Sequence, residues 1–290
     1  MKKTFSLVIP TLGRVQELDR LLESIRYQTM PIDALEVIIV DQNEDSRLNA
    51  IVSKYSKQFF IKHLKVNFKG AARARNYGLK FATGRYINFP DDDSFLSKDT
   101  LKKVLAFFSV NQSYDALAVK VLDPIKKKPA LLNFPNMSGE ISCFNFYRRT
   151  IEFNIFWKRD ILLRLGGFDE NLGVGTFFAS EESGDLVLRA LSNSYKLFYN
   201  ADIILYHPDK RNPSLDKVYS YALGFGALLN KHIKSRNLCI LPYAINYLGR
   251  AIIGMLLYMV LYNGYKFKKY YLRLKGSIQG FKYAGKTLEY

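Results

Sequence analysis

The chain is poor in cysteine, with Cys143 and Cys239 far apart and no CxxC pair between them. That spacing excludes a zinc ribbon, argues against a disulfide framework, and leads to the expectation of a reducing compartment. A long hydrophobic run is missing from the start. "MKKTFSLVIPTLGR" has a basic tip, but Pro10 interrupts its apolar stretch and no small-residue cleavage site follows. It reads as a first strand and not as a secretory signal. Acidic residues are the third shortage: 26 against 43 Lys and Arg, for a formal net charge of +17. The deficit is concentrated in one region, because from Lys217 onward Glu289 is the single carboxylate. Such an excess suits an anionic partner. Lys and Arg alternate there with Tyr, Phe, Leu and Ile. That pattern fits an anionic membrane surface better than nucleic acid, for which no binding module is recognisable.

At 290 residues and 48% apolar, the chain is long enough and greasy enough for a sizeable core with an appendage. "FSLVIPT" and "EVIIVDQ" are β-branched runs of the kind found in sheets covered on both faces. Between them Leu18, Leu21, Leu22 and Ile25 recur at helical spacing before Pro31. A helix is expected over 45–57, a strand at "FIKHLKV", a helix over 71–82, a strand at "RYINF", a helix near 98–109 and a strand at "DALAVKVL". This alternation predicts an α/β fold with a doubly wound, mostly parallel sheet, whose ligands bind beyond the carboxyl ends of the strands. Residues 125–150 read as a loop in which Lys126 to Lys128 form a solvated turn. "KLFYNADIILYHP" reads as a further strand pair ending at His207.

Leu238 to Tyr262 form a nearly apolar run carrying Pro242 near its start and Arg250 at its middle. A central arginine in a membrane span costs at least about 2.5–3.5 kcal/mol. Two interfacial helices hinged near Gly249–Arg250, flanked by the basic "KHIKSR" and "KFKKYYLRLK", are therefore expected. The expected division is a catalytic domain over 1–216, with a nucleotide-binding part to about 123 and an acceptor part over 124–216. A helical, membrane-associating appendage then covers 217–290. The alternative is a hydrophobic helical subdomain packed on the core.

The chemistry concentrates at two strand ends. Asp41 follows "VIIV", and Asp91, Asp92 and Asp93 follow "YINF". Three adjacent carboxylates repel one another unless water, donors or a cation attend them. Hard oxygen ligands suit Mg2+ or Mn2+, which commonly take one or two carboxylates together with substrate phosphates. On a basic protein this points to a nucleotide-linked substrate. The bland reading, solvated loop or capping residues, fits one such aspartate better than four.

"SLVIPTLGR", "EVIIVDQNED", "GAARARNYGLKFATGRYINFPDDD", "GGFDENLGVGT" and "EESGDLVLRAL" together resemble, in order and spacing, glycosyltransferase family 2 enzymes with the GT-A fold. The resemblance covers roughly residues 4 to 208. It implies inverting transfer of a sugar from a nucleotide-sugar donor, UDP- or dTDP-linked, to a lipid-linked or growing glycan acceptor, using Mn2+ or Mg2+. It places Asp41 at the base or ribose, with Pro10, Thr11 and Arg14 near the nucleotide. Arg75 and Asn76, from the family's "ARN.G" stretch, shape the pocket. Asp91 and Asp93 match the DxD motif with Asp92 between them, Asp93 contacts the metal, and His207 lies near the metal or diphosphate. Lys210 and Arg211 are candidates for the leaving diphosphate. The family pattern before the base helix is Glu-Asp-x-Asp-Leu. Anchored on "DLVLR", it matches Asp185 and Glu182 and sets Ser183 where the base usually stands, so the base is open among Glu182, Glu181 and Asp185, in that order. The read location is cytoplasmic and peripheral, on the inner face of the cell membrane. Two alternatives compete. A sugar-phosphate nucleotidyltransferase would need a glycine-rich basic loop that "VIPTLGRVQE" lacks, and a degenerate sugar- or membrane-binding scaffold draws support from Ser183.

Overall fold

The computed structural model describes residues 3–209 and 213–287. In chain order the elements are β1 (Phe5–Thr11), α1 (Gln16–Arg26), β2 (Leu35–Asp41), α2 (Asn49–Ser56), β3 (Ile61–Lys65) and α3 (Ala71–Leu79). Next come β4 (Tyr86–Asn88), β5 (Phe95–Leu96), α4 (Thr100–Val110), β6 (Ala116–Leu122), β7 (Gly139–Ile141), β8 (Ile155–Lys158) and α5 (Arg159–Arg164). Then follow α6 (Glu182–Ser192), β9 (Leu197–Tyr206), α7 (Leu215–Lys234), α8 (Leu241–Val260) and α9 (Gly264–Thr287). Two units result: Met1–Ile141, Arg148–Gly167 and Tyr195–Arg211 form the first, and Ser142–Tyr147, Phe168–Ser194 and Asn212–Tyr290 the second. The division differs from a cut at 216, because α6 and the glycine-rich segment before it group with the C-terminal helices.

The first unit is built on a mixed sheet in the order β3-β2-β1-β4-β8-β6-β9-β5, with β7 also on β9. β1, β2, β3 and β4 pair in parallel, with the mainly apolar β1 and β2 at the middle and the half-exposed β3 at the edge. β8 runs antiparallel to both β4 and β6, while β6 and β9 are parallel. β1 and β2 are buried along their whole length. α1 covers the sheet with Leu18, Leu21, Leu22 and Ile25, each such aliphatic contributing about 1.5–3 kcal/mol on burial. α3 lies so close to the sheet that a Cβ at Gly78 would stand 2.9 Å from Val40, which explains the glycine of the "ARNYG" stretch. The expected strand pair at 196–208 is instead one continuous ten-residue strand. A register shift opposite Val119/Lys120 absorbs the irregularity at Asn200–Asp202 that reads as a turn in sequence.

The second unit is helical. Gly226 and Gly280 face backbone across the α7–α9 crossing, Gly226 against Ser277 and Phe281, and Gly280 against Leu223. α8 runs unbroken through Gly249–Arg250, contrary to the expected hinge. Pro242 sits in the first turn, where its missing N–H costs nothing. The buried stripe Ala244, Tyr247, Ala251 and Gly254 continues at spacings of three and four across the glycine. Its other face carries Ile245, Ile252, Ile253, Leu256, Leu257 and Val260, all exposed. Cys143 and Cys239 are disulfide-bonded, with Cα atoms 5.0 Å apart, which overturns the expectation that they stay unpaired and removes the cysteine argument for a reducing compartment. Their separation of 96 residues hides this pairing from a linear reading.

Candidate active site

The aspartate run leaves β4 and meets three cationic or imidazole side chains from elsewhere in the first unit. Arg14 Nη1 lies 2.7 Å from both Asp92 Oδ1 and Asp93 Oδ2. Arg75, on α3 and 2% exposed, bonds Asp91 Oδ1 at 3.0 Å and lies 3.6 Å from Glu152. His207, just past β9, has Nε2 3.0 Å from Asp93 Oδ1 and Nδ1 2.7 Å from the Pro208 carbonyl. Its ring stacks on Phe153 at 5.1 Å between centroids. Burial opposes the charged form of His207, but Asp93, then Asp91 and the Pro208 carbonyl, hold its pKa above the ordinary value. Asp92 is pushed up to about 6 by burial and its acidic neighbours, against the pull of Arg14 and Thr11.

One ligand atom each from Asp91, Asp93 and His207 lies within 4.8 Å of the others. Nδ1–H donates to Pro208, so a neutral ring turns the lone pair of Nε2 toward Asp93. Two acceptors facing at that distance call for a proton or a cation between them. Two carboxylates and an imidazole fit a first-row divalent ion such as Mn2+ better than Mg2+, which favours oxygen alone.

Thr11 ties the two acidic strand ends together. It is the register partner of Asp41 across β1 and β2, and its hydroxyl donates to Asp92 Oδ2 at 2.8 Å. Asp41 is 1% exposed and fully engaged. Oδ1 accepts from the Asn43 backbone and amide at 2.9 and 2.7 Å, and Oδ2 faces His63 at 3.0 Å and Lys65 at 3.5 Å. Burial works to raise its pKa, yet Asn43, His63 and Lys65 bring it below the usual value. Next to it opens a cleft of about 530 Å3 lined by Asn43, Glu44, Lys65, Val66, Asn67, Phe68 and Tyr77. The sequence reading did not single out these lining residues. Their one signal is position, since Lys65 to Phe68 leave the carboxyl end of β3 as Asp41 leaves that of β2.

Of the other sequence candidates, Pro10 lies in β1 opposite Val40, one residue before its end, and Asn76 rests its side chain on Gly167, which is left-handed at φ 74°. Lys210 and Arg211 lie outside the described residues.

The base candidates belong to the second unit and have three different environments. Asp185 has no exposed surface. It contacts Arg189 at 2.8 Å, Lys231 at 2.8 Å and His232 at 3.1 Å, and Lys231 also bonds Asp169 at 2.6 Å. The Asn237 amide lies 2.9 Å from His232 Nδ1, which places the ring proton on Nε2, toward Asp185. Burial opposes the charge of Asp185, but His232, Arg189 and Lys231 hold its carboxyl well below the usual range. Asp185, expected as a third base candidate, is thereby the anion of a buried ion-pair network. Glu182, 5% exposed, begins α6 with its carboxylate against Gly173, where a Cβ would fall 2.6 Å from Cδ. Glu181 accepts from the Tyr243 hydroxyl at 2.9 Å. The Ser183 hydroxyl is buried with no partner among the described residues.

Residues 6–166 match the family model described as glycosyl transferase family 2. The chain belongs to glycosyltransferase family 2. As a family 2 glycosyltransferase it is similar to the poly(ribitol-phosphate) β-N-acetylglucosaminyltransferase TarS of Staphylococcus aureus, 34% identical over 119 residues, which is 40% of this chain and 21% of that one. It is also similar to the minor teichoic acid biosynthesis protein GgaB of Bacillus subtilis, 32% identical over 120 residues, 40% of this chain and 13% of that one. The match thus spans about a fifth or less of these relatives' own length. The GT-A fold is shared with S. aureus TarS 1–349 in complex with UDP-GlcNAc, at TM-score 0.63 and 18% identity over 97% of this chain and 90% of that one. It is shared too with the mannosyltransferase PcManGT of Pyrobaculum calidifontis in complex with GDP-Man and Mn2+, at TM-score 0.66 and 14% identity, covering 97% and 87%.

Proposed function

We propose that this glycosyltransferase moves a sugar from a UDP-linked donor to a hydroxyl of an anionic, wall-type glycan, with inversion, at the inner surface of the cell membrane. The observation that carries the reading is the convergence of Asp91, Asp93 and His207 to within 4.8 Å, at strand ends joined by Thr11. A divalent ion held there would neutralise the donor diphosphate. Arg75 keeps Asp91 in place and Arg14 offsets the remaining acidic charge. The cleft beside Asp41 takes the nucleoside, with Phe68 and Tyr77 offering ring faces and Asn43 and Asn67 polar edges. Glu182 is the base that removes the acceptor proton, since Asp185 is held as a structural anion. TarS is named for poly(ribitol-phosphate), a polyanionic acceptor, which accords with a chain of net charge +17.

The exposed apolar face of α8, next to the basic α9, supports docking on an anionic bilayer. The test of the transfer reading is sugar incorporation from UDP-GlcNAc and UDP-Glc into poly(ribitol phosphate) and into lipid-linked glycan, with Mn2+ and with EDTA. Metal-dependent transfer that falls at least about 100-fold in Asp93→Ala (on the order of 3 kcal/mol of lost transition-state stabilisation) is expected. Undiminished turnover in EDTA or in Asp93→Ala would reject the metal role.

A further inference from the structure

Glu181 adopts a left-handed backbone, at φ 75° and ψ 9°, immediately ahead of Glu182. A residue with a side chain enters that region only where its surroundings hold it there. The holding groups are visible. The Glu181 carbonyl accepts from the Asp185 amide at 2.9 Å, closing the first turn of α6. The carboxylate folds back over Gly184, where a Cβ would lie 2.7 Å from Oε2, and Oε1 takes the Tyr243 hydroxyl at 2.9 Å.

Tyr243 is itself fixed. Its ring stacks on Tyr147 at 5.0 Å and meets Phe146, Phe225 and Tyr247 edge-on at 5.3, 5.3 and 5.8 Å. The groups facing the Glu181 carboxyl are Tyr243 and Tyr247 of α8, Arg273 of α9 and Glu182 of α6. Arg273 lies 3.7 Å over the Tyr247 ring. Burial pushes Glu181 up to about 7, and the Tyr243 hydroxyl and Arg273 work the other way. On its far side Glu182 is limited by Gly173, at φ 99°, whose missing side chain leaves room for the carboxylate.

We propose that Tyr243 is a positioning residue for the base: its hydroxyl pins the Glu181 carboxylate, which holds the left-handed turn that aims Glu182. The inference rests on Glu182 being the base, so Glu182→Gln is measured first. If that variant keeps its turnover, the base reading falls, whatever Tyr243 does.

The decisive variant is Tyr243→Phe in the full chain, which keeps the ring stack and removes one oxygen. A fall in kcat of about tenfold or more is expected, with the donor KM within twofold of wild type. In a Glu181→Ala background the same change should cost less than twofold, since the two residues act as one unit. A kcat within twofold of wild type, a loss confined to KM, or an undiminished loss in the Glu181→Ala background would each overturn the proposal. Should Tyr243→Phe fail to fold, Glu181→Gln replaces it. That variant keeps an acceptor for the phenol, so it should hold kcat within about threefold while Glu181→Ala falls at least tenfold. Equal losses in these two would count against the role.

Discussion

Asp185 has no exposed surface, and replacing it with Asn would remove the buried negative charge that Arg189, Lys231 and His232 share. Removing one partner of a buried ion pair costs about 3–5 kcal/mol, so Asp185→Asn should lower the thermal midpoint by many degrees. Its folded pKa is depressed. The stability it contributes is therefore present above the unfolded carboxylate pKa of about 4 and is lost as pH falls through the lower folded value. Melting curves from pH 7 down to pH 3 should show wild type losing stability toward acid while Asp185→Asn loses less. The same residue marks a limit of reading along a chain. "EESGDLVLRAL" shows a first-turn carboxylate, but His232 stands 47 residues away, and no local pattern announces that partner. The candidate metal cluster is easier to find in the sequence, because Asp91 and Asp93 advertise themselves by crowding, and His207 follows a strand as they do.

At the scale of the elements, the glycines of the second unit separate into crossings and bystanders. A methyl at Gly280 would run into the backbone of Leu223, and one at Gly226 into Ser277. Gly280→Ala and Gly226→Ala should each destabilise by about 1–3 kcal/mol. Gly249, inside the same helical layer, has nothing within 4 Å of a built Cβ. There Gly249→Ala should stabilise by up to about 1 kcal/mol through helix propensity alone. Denaturant midpoints for the three variants check the contrast. The β-α alternation through Leu122 was readable because each element carries its own period. β9 reads in sequence as two strands, since its continuity depends on a register shift against β6 that β9 alone does not encode. Gly249 reads in sequence as a hinge for a related reason, but a glycine breaks a helix only where packing does not carry the helix through, and α8 continues unbroken.

For the molecule as a whole, a net charge of +17 acts together with the exposed apolar face of α8. Binding to vesicles containing anionic lipid should weaken as salt rises from about 0.1 M to 0.5 M, where screening shortens the reach of surface charge. Ile253→Asp combined with Leu256→Asp, both on the exposed face, should abolish co-sedimentation with those vesicles while leaving the circular dichroism spectrum intact. If the variant still sediments with them, lipid docking by this face is wrong.

The seam between α7 and α9 has a further consequence. Gly276, Ser277 and Gly280 close over Ala222, Leu223 and Gly226, so the last described turns act as a lid on α7 rather than as a trailing end. A stop codon ahead of Gly276 would unroof that helix, and late truncations of the reading frame should yield insoluble protein as readily as early ones.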